Sequence, residues 1–181
     1  YVDEGSSVIV IMGSYDGRAK NGKRKTGMQS SREIYRDHNG KLTCENYSFQ
    51  NDSSVTGVSG TELFRDQVEA LRKIGVEQIS TYGAGNKQLA AMDEGKSNGY
   101  YTWPRLGYSG EMSESQFAKL PLDIQTAMGD SRDVRTLFDS VPGGPEAWKE
   151  YGEGLSLTFD LTPGSVNMVA LEKYLTKRGL R

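Results

Sequence analysis

The sequence predicts a mixed α+β fold, and three observations predict it. A β-branched run, Val8-Ile9-Val10-Ile11, and an Asn39-Gly40 hairpin signal mark strands near the start. Between Thr61 and Ile74, apolar residues recur at helical spacing and lead straight into a second strand pattern. Near the end, a run of strict alternation is followed by a capped helical segment. Strands and helices intermix along the chain, which separates this class from all-α and all-β architectures.

Size and composition bound the reading. A chain of 181 residues supports one sizeable core, so a single domain over residues 1–181 is expected. It is 35% hydrophobic and 25% charged, ordinary for a globular protein, while 22 glycines and a mean hydropathy of -0.62 imply long polar connections. No window approaches the roughly 18 apolar residues of a membrane span, so no membrane partner is expected. A net charge of -2 and a sequence pI near 5.6 argue against a general electrostatic grip on nucleic acid but leave room for a local basic patch. The lone cysteine, Cys44, excludes an intrachain disulfide and a Cys-based zinc cage, and it suits a reducing, cytoplasmic compartment. The first residue, Tyr1, fits a processed product or a module of a longer protein.

Ser6 to Met12 reads as a strand ended by Gly13. The next stretch, GSYDGRAKNGKRKTG, carries five basic residues from Arg18 to Lys25 and reads as a solvated loop, with a phosphate or acidic-partner contact as the sharper alternative. Arg32–His38 and Lys41–Gln50 flank Asn39-Gly40 as hairpin arms, and the second arm switches its buried face, as at a bulge. His38, beside the turn, reads as a surface residue, and no His-rich metal site is possible. Leu63, Phe64, Val68, Leu71 and Ile74 line one face of the helix that Gly75 stops. Val76–Tyr82 is a strand, Gly83-Ala84-Gly85 a turn, and Lys87–Met92 a short helix. From Ser113 to Phe138 two weaker helices, Glu114–Lys119 and Arg132–Phe138, are separated by Pro121 and Gly129. Pro145 opens a short helix through Trp148. Leu155, Leu157, Phe159 and Leu161 alternate with polar residues as a half-buried strand, and Ser165 caps a last helix through Arg178.

The chemistry-bearing block runs from SVTGVSGT to NGYYTWPRLGY. A Gly-rich turn feeding a helix leaves backbone N–H groups free to face an anion such as pyrophosphate, and Gly57, Ser59, Gly60 and Thr61 can form such a cradle. The plain alternative is that Ser59 or Thr61 caps the helix while the glycines shape the turn. At the far end of the block, NGYYTWPRLGY sets four aromatic residues around Pro104 and Gly107.

In this order of strand, Gly-rich turn, helix, strand and aromatic helix, residues 40–110 resemble the core of the GNAT (Gcn5-related N-acetyltransferase) acyltransferases. The resemblance implies a mostly antiparallel central sheet flanked by helices, a helical or irregular insertion at about 109–150, and a closing strand and helix at 154–178. It implies acetyl-CoA as cofactor, held by Val55, Gly57, Val58, Ser59, Gly60, Thr61 and Asn98, with an amine of a small molecule or protein as acyl acceptor. Glu45 or Glu62 would take the amine proton, and Tyr100, Tyr101 or Tyr108 would protonate the departing thiolate. No metal is implied. Ser54 stands where the family's loop places Arg or Gln, and Ser59 where it places a second Gly or Ala, which implies weakened phosphate binding. Trp103 stands where the family often has its acidic tyrosine, and an indole N–H is far too weak an acid for that task. Pro104 disturbs a helix at that point, and Asn98 lies closer to Gly107 than the family's spacing. Asp93, Glu94 and Glu111 flank the aromatic run and can read a cationic substrate. The run YYTWPRLGY is also similar to GNAT-like modules of phage and mobile-element polyproteins. A non-catalytic binding or structural module of a larger bacterial or phage protein, virion-associated in the phage case, is therefore the alternative expectation.

Overall fold

The structure is a computed structural model that describes residues 8–18, 24–93 and 97–180, with residues 8–18, 24 and 25 described as backbone alone. It is α+β, as the sequence predicts. The chain divides into two compact units, one of the residues up to Ser80 and one from Thr81 to Gly179.

In the first unit β1 (Val8–Arg18), β2 (Arg24–Arg36), β3 (Leu42–Asn51) and the opening of β4 (Gln78–Asn86) follow in that order. β1 and β2 pair antiparallel from Val8↔Ile34 to Arg18↔Arg24. The strand expected to stop at Met12 thus continues, and the expected loop supplies both arms of a long hairpin; its tip lies outside the described residues. Register shifts between Met12 and Asp16 absorb Gly13 and Ser14 without ending the ladder.

The β2–β3 connection is wider than a two-residue turn. The Asp37 carbonyl accepts from Gly40 N–H at 2.9 Å, Asp37 N–H donates to the Lys41 carbonyl at 2.9 Å, and Gly40 has φ 77°. This is the three-residue loop in which a type I turn is followed by a left-handed residue, the position only glycine takes without cost. The Asp37 carboxylate fixes it by accepting from the Asn39 and Lys41 N–H groups at 2.8 and 2.9 Å. The expected change of face in β3 is present: pairing jumps from Ser31↔Ser48 to Arg32↔Asn46, leaving Tyr47 as the extra residue of a bulge.

A short helix, α1 (Ser53–Thr56), leads to α2 (Gly60–Lys73), which buries Phe64, Val68 and Leu71. Each such side chain is worth about 1.5–3 kcal/mol when fully removed from water. Ile74, expected on the same face, is 58% exposed, because the helix has already ended there. Gly75, at φ 83°, donates to the Arg72 carbonyl, and Val76 N–H donates to that of Leu71. Gln67 Nε2 of α2 donates to Asn46 Oδ1 of β3 at 2.9 Å, and within β2 the buried Arg32 donates to Ser30 Oγ at 2.7 Å.

In the second unit the rest of β4 lies beside β5 (Glu153–Asp160). Gly83-Ala84-Gly85 is strand here, correcting the expected turn. These glycines serve close approach: a Cβ on Gly83 would stand 2.7 Å from a Leu157 methyl, and one on Gly85 would stand 1.7 Å from the Ser97 carbonyl oxygen. Helices α3 (Lys87–Met92) and α4 (Gly99–Arg105) follow. Then come α5 (Glu114–Phe117), α6 (Leu122–Met128), α7 (Val134–Ser140) and α8 (Gly144–Tyr151). Pro121 and Gly129, expected to break helical structure, are instead the caps of α6. The stretch 109–150 carries much of this unit's core, including Met112, Leu120, Val134, Leu137 and Trp148. β5 alternates as expected, with Leu155, Leu157 and Phe159 buried, and α9 (Val166–Arg178) is capped by Ser165 and closed by Gly179.

Candidate functional site

In the first unit the Gly-rich turn is built by hydrogen bonds that consume its donors. Asp52 caps α1, accepting from Ser54 N–H and its hydroxyl at 3.0 and 2.5 Å. Val55 N–H donates to the Asp52 carbonyl, and Gly57, left-handed at φ 71°, donates to that of Ser53. Val58 N–H points to Thr56 Oγ1 at 3.3 Å, and the Val58 carbonyl accepts from Asn51 Nδ2 at 2.7 Å. Ser59 and Glu62 then form a reciprocal capping box. Ser59 Oγ accepts from Glu62 N–H at 3.2 Å, while the Glu62 carboxylate accepts from Ser59 N–H at 2.9 Å and from its hydroxyl at 2.7 Å.

These bonds commit the N–H groups of Gly57, Val58, Ser59 and Glu62, leaving those of Gly60 and Thr61 at the helix start. Space does not limit the turn, since a Cβ on Gly60 would meet only Phe49, at 3.9 Å. Charge limits it. The hydrogen bond from the Ser59 hydroxyl, then that from its N–H, holds the Glu62 carboxyl below the usual carboxylate range. An anion therefore already sits across the Ser59 donor.

Glu45, also in the first unit, lies directly opposite Glu33 in the β2–β3 register, a like-charge pair. Tyr47 donates to Glu33 at 2.6 Å, which pushes its own phenol up to about 12. Cys44 faces the other way, fully buried, and burial raises its thiol to about 11, so it is not a nucleophile at neutral pH. His38 is exposed beside its turn and contacts Asn39.

The remaining candidates belong to the second unit. Asn98 opens α4 without a side-chain cap bond and pairs with Gly85 in an isolated bridge. It lines an open cavity of about 420 Å³ with Lys87, Tyr100, Lys149 and Glu150, in which Lys87 and Glu150 are ion-paired. Tyr100 is buried and donates to the Lys149 carbonyl at 2.9 Å; burial, with Glu150 adding to it, raises its phenol. Tyr108 is fully enclosed, its ring 5.2 Å from those of both Trp103 and Phe159. Tyr101 is half-buried and has the Arg105 guanidinium 5.3 Å from its ring centre. Glu111 is exposed and reaches Arg132 at 4.0 Å; Glu94 lies outside the described residues.

α4 keeps Pro104 in its last turn by a tertiary substitution. Proline cannot donate to the carbonyl four residues earlier, that of Tyr100. The Trp148 indole N–H donates to it instead, at 2.8 Å. The Pro104 carbonyl accepts from buried Arg135 at 2.5 Å, and Arg135 is held by Asp139. Asn167 ties the next stretch, donating to the Gly107 carbonyl and to Ser109 Oγ at 2.7 and 2.8 Å. None of Trp148, Arg135 and Asn167 stands out in the sequence, because each acts on a partner more than 30 residues away.

Among the described residues there is no group of three potential metal ligands, and no helix is long and apolar enough to cross a membrane. No protein-family model, curated protein or solved structure matches this chain.

Proposed function

We propose that this chain is a GNAT-like module that serves binding or assembly in a larger bacterial or phage protein and does not transfer an acyl group. The observation that carries this reading is the Ser59–Glu62 capping box, which sets a carboxylate against a donor that would have to receive pyrophosphate. Bringing a multiply charged phosphate beside that carboxylate costs Coulomb energy and the capping bonds together. The buried Tyr108 and the carbonyl-bound Tyr100 support the same reading, since neither hydroxyl is placed to meet a substrate.

The element order favours a second reading, N-acyltransfer from acetyl-CoA. β3, the glycine turn, α2, β4 and α4 follow one another as in that family, and Asn98 opens α4 at a cavity. This reading requires Glu62 to leave Ser59. Thermal unfolding with millimolar acetyl-CoA separates the two: a ligand at about 100 times its dissociation constant adds about 2.7 kcal/mol to stability. An unchanged melting temperature is expected; a rise of several degrees, abolished by Gly60→Trp, establishes the acyltransferase reading instead.

A further inference from the structure

On the second unit, side chains from three helices assemble into an alternating row of cations and rings. Arg178 lies 5.8 Å from the centre of the Tyr174 ring, and Arg105 lies 5.5 Å from the same ring. Arg105 is also 5.3 Å from Tyr101, and Lys149 reaches Tyr101 at 5.8 Å. α4 contributes Tyr101 and Arg105, α8 contributes Lys149, and α9 contributes Tyr174 and Arg178. Among the described residues none of these three cations has a carboxylate partner, and the buried Nε of Arg105 donates to nothing. Two acids of α7 and α8 are engaged elsewhere: Glu150 holds Lys87, and Asp139 holds Arg135. The rings fix the cations by cation–π attraction, which positions a charge without neutralising it.

We infer that this row is a binding strip for the phosphate backbone of a single-stranded nucleic acid. Two of its three cations are arginines, whose planar fork matches phosphate oxygens and whose weak hydration suits a site against aromatic rings. Interleaved cations and rings are the composition by which single strands are held. A flexible strand can follow a row drawn from three helices, whereas a duplex is read by an element that enters a groove. The row shares no residue with the Gly57–Thr61 turn, although Lys149 also lines the cavity at Asn98, so Gly60→Trp removes acetyl-CoA binding alone and Arg178→Glu weakens oligonucleotide binding alone.

Fluorescence anisotropy with a labelled oligothymidylate at low salt tests this. Binding is expected, and the slope of log affinity against log salt should fall by about 0.7 for each phosphate contact removed. Lys149→Glu and Arg178→Glu, both at exposed side chains, should each weaken binding about tenfold, a change of about 1.4 kcal/mol. Arg105→Lys, which keeps the charge and removes the fork, should weaken it less; circular dichroism confirms that each variant is folded. Absence of binding, binding unaffected by the Lys149→Glu/Arg178→Glu double variant, or tighter binding of polyglutamate than of the oligonucleotide overturns the inference.

Discussion

At the scale of single residues, the turn before α2 shows how a motif can be present while its usual chemistry is pre-empted. Ser59 and Glu62 satisfy each other, so the groups that make the segment look like an anion cradle are the ones that start the helix. Ser59→Ala should lower stability by about 1 kcal/mol, measured as a lower urea midpoint with unchanged slope. Glu62 adds a pH dependence with a defined sign. Its folded carboxyl is held below its unfolded value, so its contribution is complete above the unfolded carboxylate range and disappears as pH falls through the folded value. Glu62→Gln should therefore flatten the acid limb of a melting-temperature profile; an identical acid limb in the variant contradicts this assignment. A cap at Ser59 or Thr61 is legible in the sequence, because helix capping is local; the structure decides for Ser59 and shows Glu62 returning the bond. Spacing does not reveal that Asn51 and Thr56 close the other side of the same turn.

At the scale of elements, α4 is the instructive case. Pro104 reads as a disturbance in any local account, and locally it is one, since it leaves the Tyr100 carbonyl without its helical donor. The helix persists because Trp148 supplies the missing N–H from α8. Trp148→Phe should destabilise the protein by about 1–3 kcal/mol beyond any packing change, by leaving that carbonyl unsatisfied in the core. Pro104→Ala restores a backbone N–H four residues on and should recover part of that loss in the Trp148→Phe background. A double-mutant cycle on urea unfolding reads the coupling, and strict additivity would refute the substitution of one donor for the other. A milder form of the same effect holds at Pro121 and Gly129, which sequence reading treats as breakers and the structure uses as the two ends of α6. Proline and glycine punctuate a chain reliably; whether they separate helices or bracket one depends on whether Ile124 and Met128 between them find a core, as they do.

At the scale of the whole molecule, the net charge of -2 and the cation row describe different things, one an average and the other a local arrangement. Charge reversal at Lys149 and Arg178 should accordingly change oligonucleotide binding strongly while altering folding stability by no more than about 1 kcal/mol per site, the cost of an acidic side chain in the last turn of α8 or α9, since both side chains are exposed and neither is ion-paired among the described residues. A matching loss of stability in thermal unfolding would assign the row a structural role instead. By itself, the sequence determined the α+β class, the hairpin at Asn39-Gly40, α2 with its stop, α3, β5 and α9, because periodicity, capping and turn chemistry act within a few residues. Only the tertiary structure decided that Gly83 and Gly85 lie in a strand, that α4 tolerates Pro104, that Tyr108 is core, and that Arg105, Lys149 and Arg178 meet around two tyrosines. Each of those outcomes depends on a partner supplied from far along the chain, and no local pattern encodes which distant residue will arrive.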